Sequence, residues 1–133
     1  MPANNYDQLI AAAKQARENA YAPYSGYKVG AAILSSDGEI FTGVHVENAS
    51  YPAGICAERA ALSAAVAAGK RKFLAVAVVA EAGVTPCGVC RQMLSEFGDM
   101  WVITASAGEK AVSTTLSRLL PSAFGKNNLD RSK

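Results

Sequence analysis

Residues 73–80 read FLAVAVVA, eight apolar positions with no polar interruption. A strand with one wet face alternates apolar and polar residues, whereas a continuous apolar run suits a strand buried on both faces. The chain must then supply helices to cover such a strand. Its punctuation provides them. Asn5 is placed to cap a first helix, in which Leu9, Ile10, Ala13, Ala16 and Ala20 keep helical spacing to about residue 20. YAPYSG breaks it. Residues 27–36 and 39–46 read as two strands joined by SDG, a strong hairpin signal. A second helix is expected from about Ile55 to Ala68, ended by Gly69. Thr85 suits an N-cap and Pro86 a first helical position, which predicts a third helix from Pro86 to about Phe97. WVITAS is a further strand, with a short one or a hairpin arm near Ala111. A short helix near Leu116 to Leu120 precedes a polar end expected to fray. A hairpin followed by alternating helices and strands implies a mixed sheet covered by helices.

With 133 residues, the chain is expected to form one domain, residues 1–133, burying roughly two-thirds of its unfolded surface. No metal or disulfide is needed merely to hold such a chain together, so any metal site should be functional. A net charge of +2 is too small to argue for nucleic acid or membrane as a partner. The cluster Lys70, Arg71, Lys72 is read as capping a helix end, where cations favour the dipole. No apolar run approaches the ~20 residues of a membrane span, and MPANNYDQLI lacks the regions of a signal peptide. The three cysteines are an odd count, with Cys87 and Cys90 in a C-x-x-C pair. Together these features point to a reducing, cytoplasmic location and to metal or redox chemistry over structural disulfides.

Cys87 and Cys90 fall on one face of the third helix, in its first turn, where the positive helix end stabilises thiolates. The redox alternative needs a thioredoxin-like context that the chain does not otherwise offer. Cys56 opens the second helix, so two helix N-termini can bring three thiolates together. Three protein ligands leave tetrahedral zinc one open position, the mark of a catalytic site. Three thiolates and a zinc dication sum to a negative charge, which weakens the metal as a Lewis acid. Arg59 and Arg91 each directly follow a site residue, and one or both are expected to donate hydrogen bonds to the thiolates. The alternative makes both surface cations with buried stems. Glu58 stands two residues after Cys56. At a helix start a glutamate can curl beside the cysteine, take a proton from metal-bound water and return it to a leaving group.

With these residues assembled, the sequence resembles the cytidine deaminase family in its small, homotetrameric, three-cysteine form. The resemblance rests on CAER at 56–59, PCGVCRQ at 86–92, YSGYKVGAAI at 24–33, VENASY at 46–51 and LLPSAFG at 119–125. It implies an α/β fold, a three-layer α/β/α sandwich with a mixed five-stranded sheet. It implies hydrolytic deamination of cytidine and 2′-deoxycytidine by attack of zinc-activated water on C4. Carried over by motif, Cys56, Cys87 and Cys90 bind zinc and Glu58 shuttles protons to N3 and to the departing ammonia. The backbone around Ala57 holds the base, and Glu47 binds the ribose 3′-hydroxyl. Phe124 corresponds to a C-terminal aromatic that stacks on the base bound in a neighbouring subunit, which requires a homotetramer.

Two positions depart from the family pattern. Tyr27 stands where phenylalanine is usual, keeping the ring of a substrate-contacting position and adding a hydroxyl. His45, the only histidine, stands where asparagine normally hydrogen-bonds the ribose. Strand alternation puts Val44 and Val46 on one face and His45 with Glu47 on the other. Three readings follow for His45: a partner for the 3′-hydroxyl, a bulky group shifting preference toward altered nucleosides, or a residue turned away or closing a Cys₃His structural site. The rival functions are deamination of a different cytosine compound, such as blasticidin S, and a non-catalytic zinc-stabilised protein. Polynucleotide editing is disfavoured by the absence of a basic, aromatic-lined groove.

Overall fold

The computed structural model describes residues 6–106, 108 and 110–129. Helix α1 (Asp7–Arg17) precedes a hairpin of β1 (Gly30–Ser35) and β2 (Ile40–Val44). Helix α2 (Ala57–Ala67), strand β3 (Phe73–Ala80), helix α3 (Gly88–Ser95) and strand β4 (Trp101–Ser106) alternate after it. Strand β5 (Val112–Thr115) and the short helix α4 (Leu116–Leu119) follow. The strands lie in the order β2-β1-β3-β4-β5. Only β3 and β4 run parallel, as a crossover through α3 requires, and the remaining neighbours are antiparallel.

FLAVAVVA occupies β3 from end to end at the centre of the sheet, buried except at Leu74. Side chains of period two divide it between two cores. Ala75, Ala77 and Val79 join Leu9 and Ala13 of α1, while Val76 joins Ala61, Leu62 and Leu94 of α2 and α3. The sheet is thus the middle of three layers, as the resemblance implied.

Two glycines set how closely helices approach the sheet. A Cβ on Gly43 in β2 would lie 2.3 Å from Ala61 N and 2.5 Å from Ala57 O of α2. One on Gly30 in β1 would lie 2.3 Å from Ala13 O of α1, on the opposite face. Backbone therefore meets backbone at both places, and at Gly43 the contact is with the first turns of α2.

Several boundaries differ from expectation. Helix α3 begins at Gly88, with Cys87 rather than Thr85 as its N-cap. Thr85 and Pro86 instead lie in an irregular stretch fastened by Arg91. The hairpin strands are shorter than expected because the chain turns out of the sheet at both ends, although His45 N still donates to Val29 O. Of the basic cluster, Arg71 does cap α2, donating to Val66 O, but Lys70 pairs with Asp37 and Glu39 of the hairpin. The expected cap Asn5 lies outside the described residues, as do residues 130–133. Lys126–Asn128 form a 3-10 turn in the polar end.

Candidate active site

The N-termini of α2 and α3 converge beyond the end of β3, and each begins on a cysteine. Cys56 caps α2 and Cys87 caps α3, both in extended backbone conformation and neither making a side-chain cap hydrogen bond to its helix. Their sulfurs are free to point outward, 3.9 Å apart. Cys90, one turn along α3, brings its Sγ to 3.5 Å from that of Cys87. The three sulfurs lie within 4.8 Å of one another. Zinc–sulfur bonds of about 2.3 Å in a tetrahedron place sulfurs roughly 3.8 Å apart, so the spacing fits a zinc ion. Cys90 is buried, Cys56 half-buried and Cys87 exposed, and three ligands would leave a tetrahedral zinc one further position.

The electrostatics of Cys56 and Cys90 point the same way. The Cys90 thiol, and then the Arg59 guanidinium, pull Cys56 down to about 5, while the ionised Cys56 and burial push Cys90 up. Three sulfurs this close share protons unless a cation replaces them. Arg59 sits beside both Cys56 and Cys90, and its buried Nε has no hydrogen-bond partner. Arg91 is placed otherwise than expected. Its Nε donates to Pro86 O (2.6 Å), its Nη1 to Leu119 O (2.7 Å) and its Nη2 to Thr85 Oγ1 (2.8 Å). All three nitrogens thus donate to backbone or hydroxyl oxygens rather than to a sulfur.

Glu58 is 5% exposed in the first turn of α2, and burial pushes its carboxyl up. A carboxyl held in that direction keeps a proton more readily than a surface glutamate, which suits a group that must both accept and release one. Ala57 beside it is fully buried.

A cleft of about 540 Å³ opens onto Cys56 and Arg59, within the range of small-molecule sites. His45 and Glu47 line it, whereas Val44 and Val46 do not, as strand alternation required. Glu47 is rigidly held. It accepts from Tyr24 N (2.9 Å) and Ser25 N (3.2 Å), and Ser25 Oγ donates to its second oxygen. The Ser25 hydroxyl, and then these amides, keep the carboxyl below its usual range. His45 Nε2 lies 3.6 Å from the same second oxygen. His45 thus neither turns away nor joins the metal group, which among the described residues holds three cysteines and no histidine.

Two expected substrate contacts lie off this cleft. Tyr27 does not line it, and its amide donates to Ser25 Oγ. Phe124 also lies outside it, 57% exposed, with its carbonyl accepting from Gln92 Nε2 at 2.8 Å. The aromatic wall is instead Tyr24 and Tyr51, packed edge-on with ring centroids 6.4 Å apart. Sequence reasoning missed the Tyr24 and Ser25 clamp on Glu47. YAPYSG carries turn chemistry, and nothing in it announces two amides aimed at a carboxylate twenty residues away.

Comparison with known proteins agrees with this geometry. Residues 3–106 match the family described as the cytidine and deoxycytidylate deaminase zinc-binding region. A cytidine deaminase of Sporosarcina psychrophila is 48% identical over 127 residues, covering 92% of this chain and 93% of that protein. The crystal structure of a cytidine deaminase from Burkholderia pseudomallei superposes with a TM-score of 0.87 at 48% identity, covering 91% of this chain and all of that one. A blasticidin-S deaminase of Bacillus cereus is 31% identical over 111 residues, 76% of this chain and 79% of that protein.

Proposed function

The chain belongs to the family of cytidine and deoxycytidylate deaminases marked by a common zinc-binding region, and from that premise we propose that it hydrolyses cytidine and 2′-deoxycytidine to uridine and 2′-deoxyuridine. One water enters and one ammonia leaves per turnover, so the enzyme is a hydrolase acting on the C–N bond of a cyclic amidine. The observation that carries the reading is the set of three sulfurs at two converging helix N-termini, with a buried glutamate in the same helical turn as one of them.

Cys56, Cys87 and Cys90 hold the zinc. Bound there, zinc supplies Lewis acidity that brings the pKa of water toward about 7. Glu58 takes a proton from the attacking water, delivers it to N3 of the pyrimidine and then passes one to the departing 4-amino group. Its burial keeps competing water away from that proton. Arg59 offsets thiolate charge at Cys56 and Cys90. Glu47, immobilised by Tyr24 and Ser25, receives the sugar 3′-hydroxyl, with His45 beside it. Ala57 presents backbone to the base, and Tyr27 donates its amide to the Ser25 hydroxyl that holds Glu47. Phe124 completes a neighbouring subunit's site in a homotetramer. Among the described residues no helix is long and apolar enough to cross a membrane, and we place the enzyme in the cytoplasm, acting in pyrimidine nucleoside salvage.

The test is a zinc determination on the purified chain followed by ultraviolet absorbance on cytidine, deoxycytidine, cytosine, CMP and blasticidin S. One zinc per chain with turnover of the two nucleosides is expected. Glu58→Gln should keep the zinc and lose roughly 10²- to 10⁴-fold or more in kcat. Activity on cytosine, CMP or blasticidin S without activity on cytidine would overturn the substrate. Zinc without any turnover would leave a zinc-stabilised scaffold.

A further inference from the structure

We propose that Arg91 is a positioning residue that staples the Cys87 arm of the zinc site to the C-terminal segment, so that this segment governs how long the metal is retained. The proposal rests on the zinc reading above. Cys87 is the exposed ligand, carried at the end of a stretch that leaves β3 after Ala80 and forms neither helix nor strand before Gly88. The two residues immediately before it, Thr85 and Pro86, are both held by Arg91 side-chain nitrogens, at 2.8 and 2.6 Å. The remaining nitrogen of the guanidinium donates at 2.7 Å to Leu119 O. Leu119 ends α4, and its carbonyl is one of those a helix leaves without an internal partner.

One planar cation therefore joins three acceptors on two separate segments. Lysine, with a single nitrogen on a flexible stem, cannot span them. The next residue extends the connection, because Gln92 Nε2 donates to Phe124 O five residues beyond Leu119. The turn of α3 that follows Cys90 thus fastens residues 119–124 at two points and the Cys87 arm at two. Freeing Cys87 from a metal requires Thr85 and Pro86 to move, which breaks the hold of Arg91 on them or drags α4 along. A loosened C-terminal segment deprives Arg91 of Leu119 O and lets the guanidinium, and the arm with it, swing.

The experiment is zinc release from the loaded full-length protein to a chromogenic chelator, for wild type, Arg91→Lys, Thr85→Val, Gln92→Met and the double variant Arg91→Lys/Gln92→Met. Circular dichroism establishes that each is folded at the assay temperature, and Gly30→Ala serves as a destabilised control remote from the arm. Arg91→Lys should release zinc roughly 10- to 100-fold faster, the span usual for residues that support metal ligands. Thr85→Val, which leaves every charge in place, should release it faster by a smaller factor. Gln92→Met should accelerate release in the wild-type background and add nothing to Arg91→Lys, since its effect passes through Arg91. Gly30→Ala should release zinc at the wild-type rate. Wild-type rates in Arg91→Lys or Thr85→Val would overturn the staple. No effect of Gln92→Met, or an equal effect in both backgrounds, would overturn the part assigned to the C-terminal segment. Faster release from Gly30→Ala would show that general destabilisation suffices. Failure of the wild-type protein to hold zinc at all would instead sink the proposed function.

Discussion

Gly43→Ala tests whether the close seat of α2 on the sheet places the catalytic groups. The new methyl would sit 2.3 Å from Ala61 N and 2.5 Å from Ala57 O, whereas ordinary contact begins at 3.4 Å. Neither atom is the end of a flexible side chain, so helix and strand must separate by about 1 Å. Overpacking of this kind costs typically about 1–3 kcal/mol. For a chain of this length that lowers Tm by about 4 °C for each kcal/mol. Because the clash falls on the first turns of α2, the same displacement carries Cys56 and Glu58 away from Cys87 and Cys90. A misplacement near 1 Å can reduce turnover by ~10²-fold. Gly30→Ala makes a clash of equal closeness with α1, on the opposite face and away from the site. Thermal unfolding, zinc release and kcat are then measured on both variants. Both should lose stability, and only Gly43→Ala should lose zinc faster and turn over more slowly. The strand β2 lies at the sheet edge and has freedom to recede in place of the helix. If Gly43→Ala unfolds earlier but keeps wild-type zinc release and kcat, the strand has yielded and the reasoning is refuted.

Three further outcomes follow from the same structure. Arg59→Ala removes the cation beside Cys56 and Cys90 and should weaken zinc binding by roughly 10- to 100-fold, measured by chelator competition; unchanged affinity and turnover would rule out charge compensation by Arg59. His45→Ala should raise KM for cytidine several-fold with kcat nearly unchanged, because His45 meets Glu47 and not the metal group; steady-state kinetics decide this, and a change confined to kcat would move His45 to the chemistry. Lys70 and then the Ser35 hydroxyl hold Asp37 down to about 2, so its contribution to stability is complete above its ordinary value of 3.8 and disappears as pH falls through 2. Asp37→Asn should therefore lower Tm at pH 7, less so in high salt, and the gap to wild type should close toward pH 2.

The fold was legible where burial wrote the sequence. FLAVAVVA can be satisfied only between two layers, and SDG and Gly69 mark the hairpin and the end of α2. The start of α3 was misread for a local reason with a distant cause. Thr-Pro is a sound helix opening taken alone, but Arg91, six residues on, takes the Thr85 hydroxyl and the Pro86 carbonyl and holds the pair out of the helix. The cap passes to Cys87, and that shift is what aims its sulfur at Cys56. At the site, side chains with distinctive chemistry are legible from their spacing, as with the three cysteines that the fold brings together. Contacts made through backbone are not. The amides of Tyr24 and Ser25 that fix Glu47, and the carbonyl of Phe124 that receives Gln92, carry no residue-type signature.

The two arginines next to site residues show how neighbours in sequence divide labour in space. Three thiolates and one zinc dication leave a negative charge that would blunt the metal's acidity unless something positive lies near. Arg91 is engaged elsewhere, its three nitrogens donating to Pro86 O, Leu119 O and Thr85 Oγ1. In the proposed function compensation falls on Arg59 and on the two helix N-termini that Cys56 and Cys87 cap, each equivalent to roughly half a positive charge. Cys56 and Cys90 differ because of each other: the Cys90 thiol, and then Arg59, pull Cys56 down, while the ionised Cys56 and burial push Cys90 up. Removing Arg59 should thus be felt at the electronic character of the zinc, and removing Arg91 at the rate of its escape. A cobalt-substituted protein separates the two, since Arg59→Ala should shift its visible ligand-field bands and Arg91→Lys should leave them in place while the metal leaves sooner.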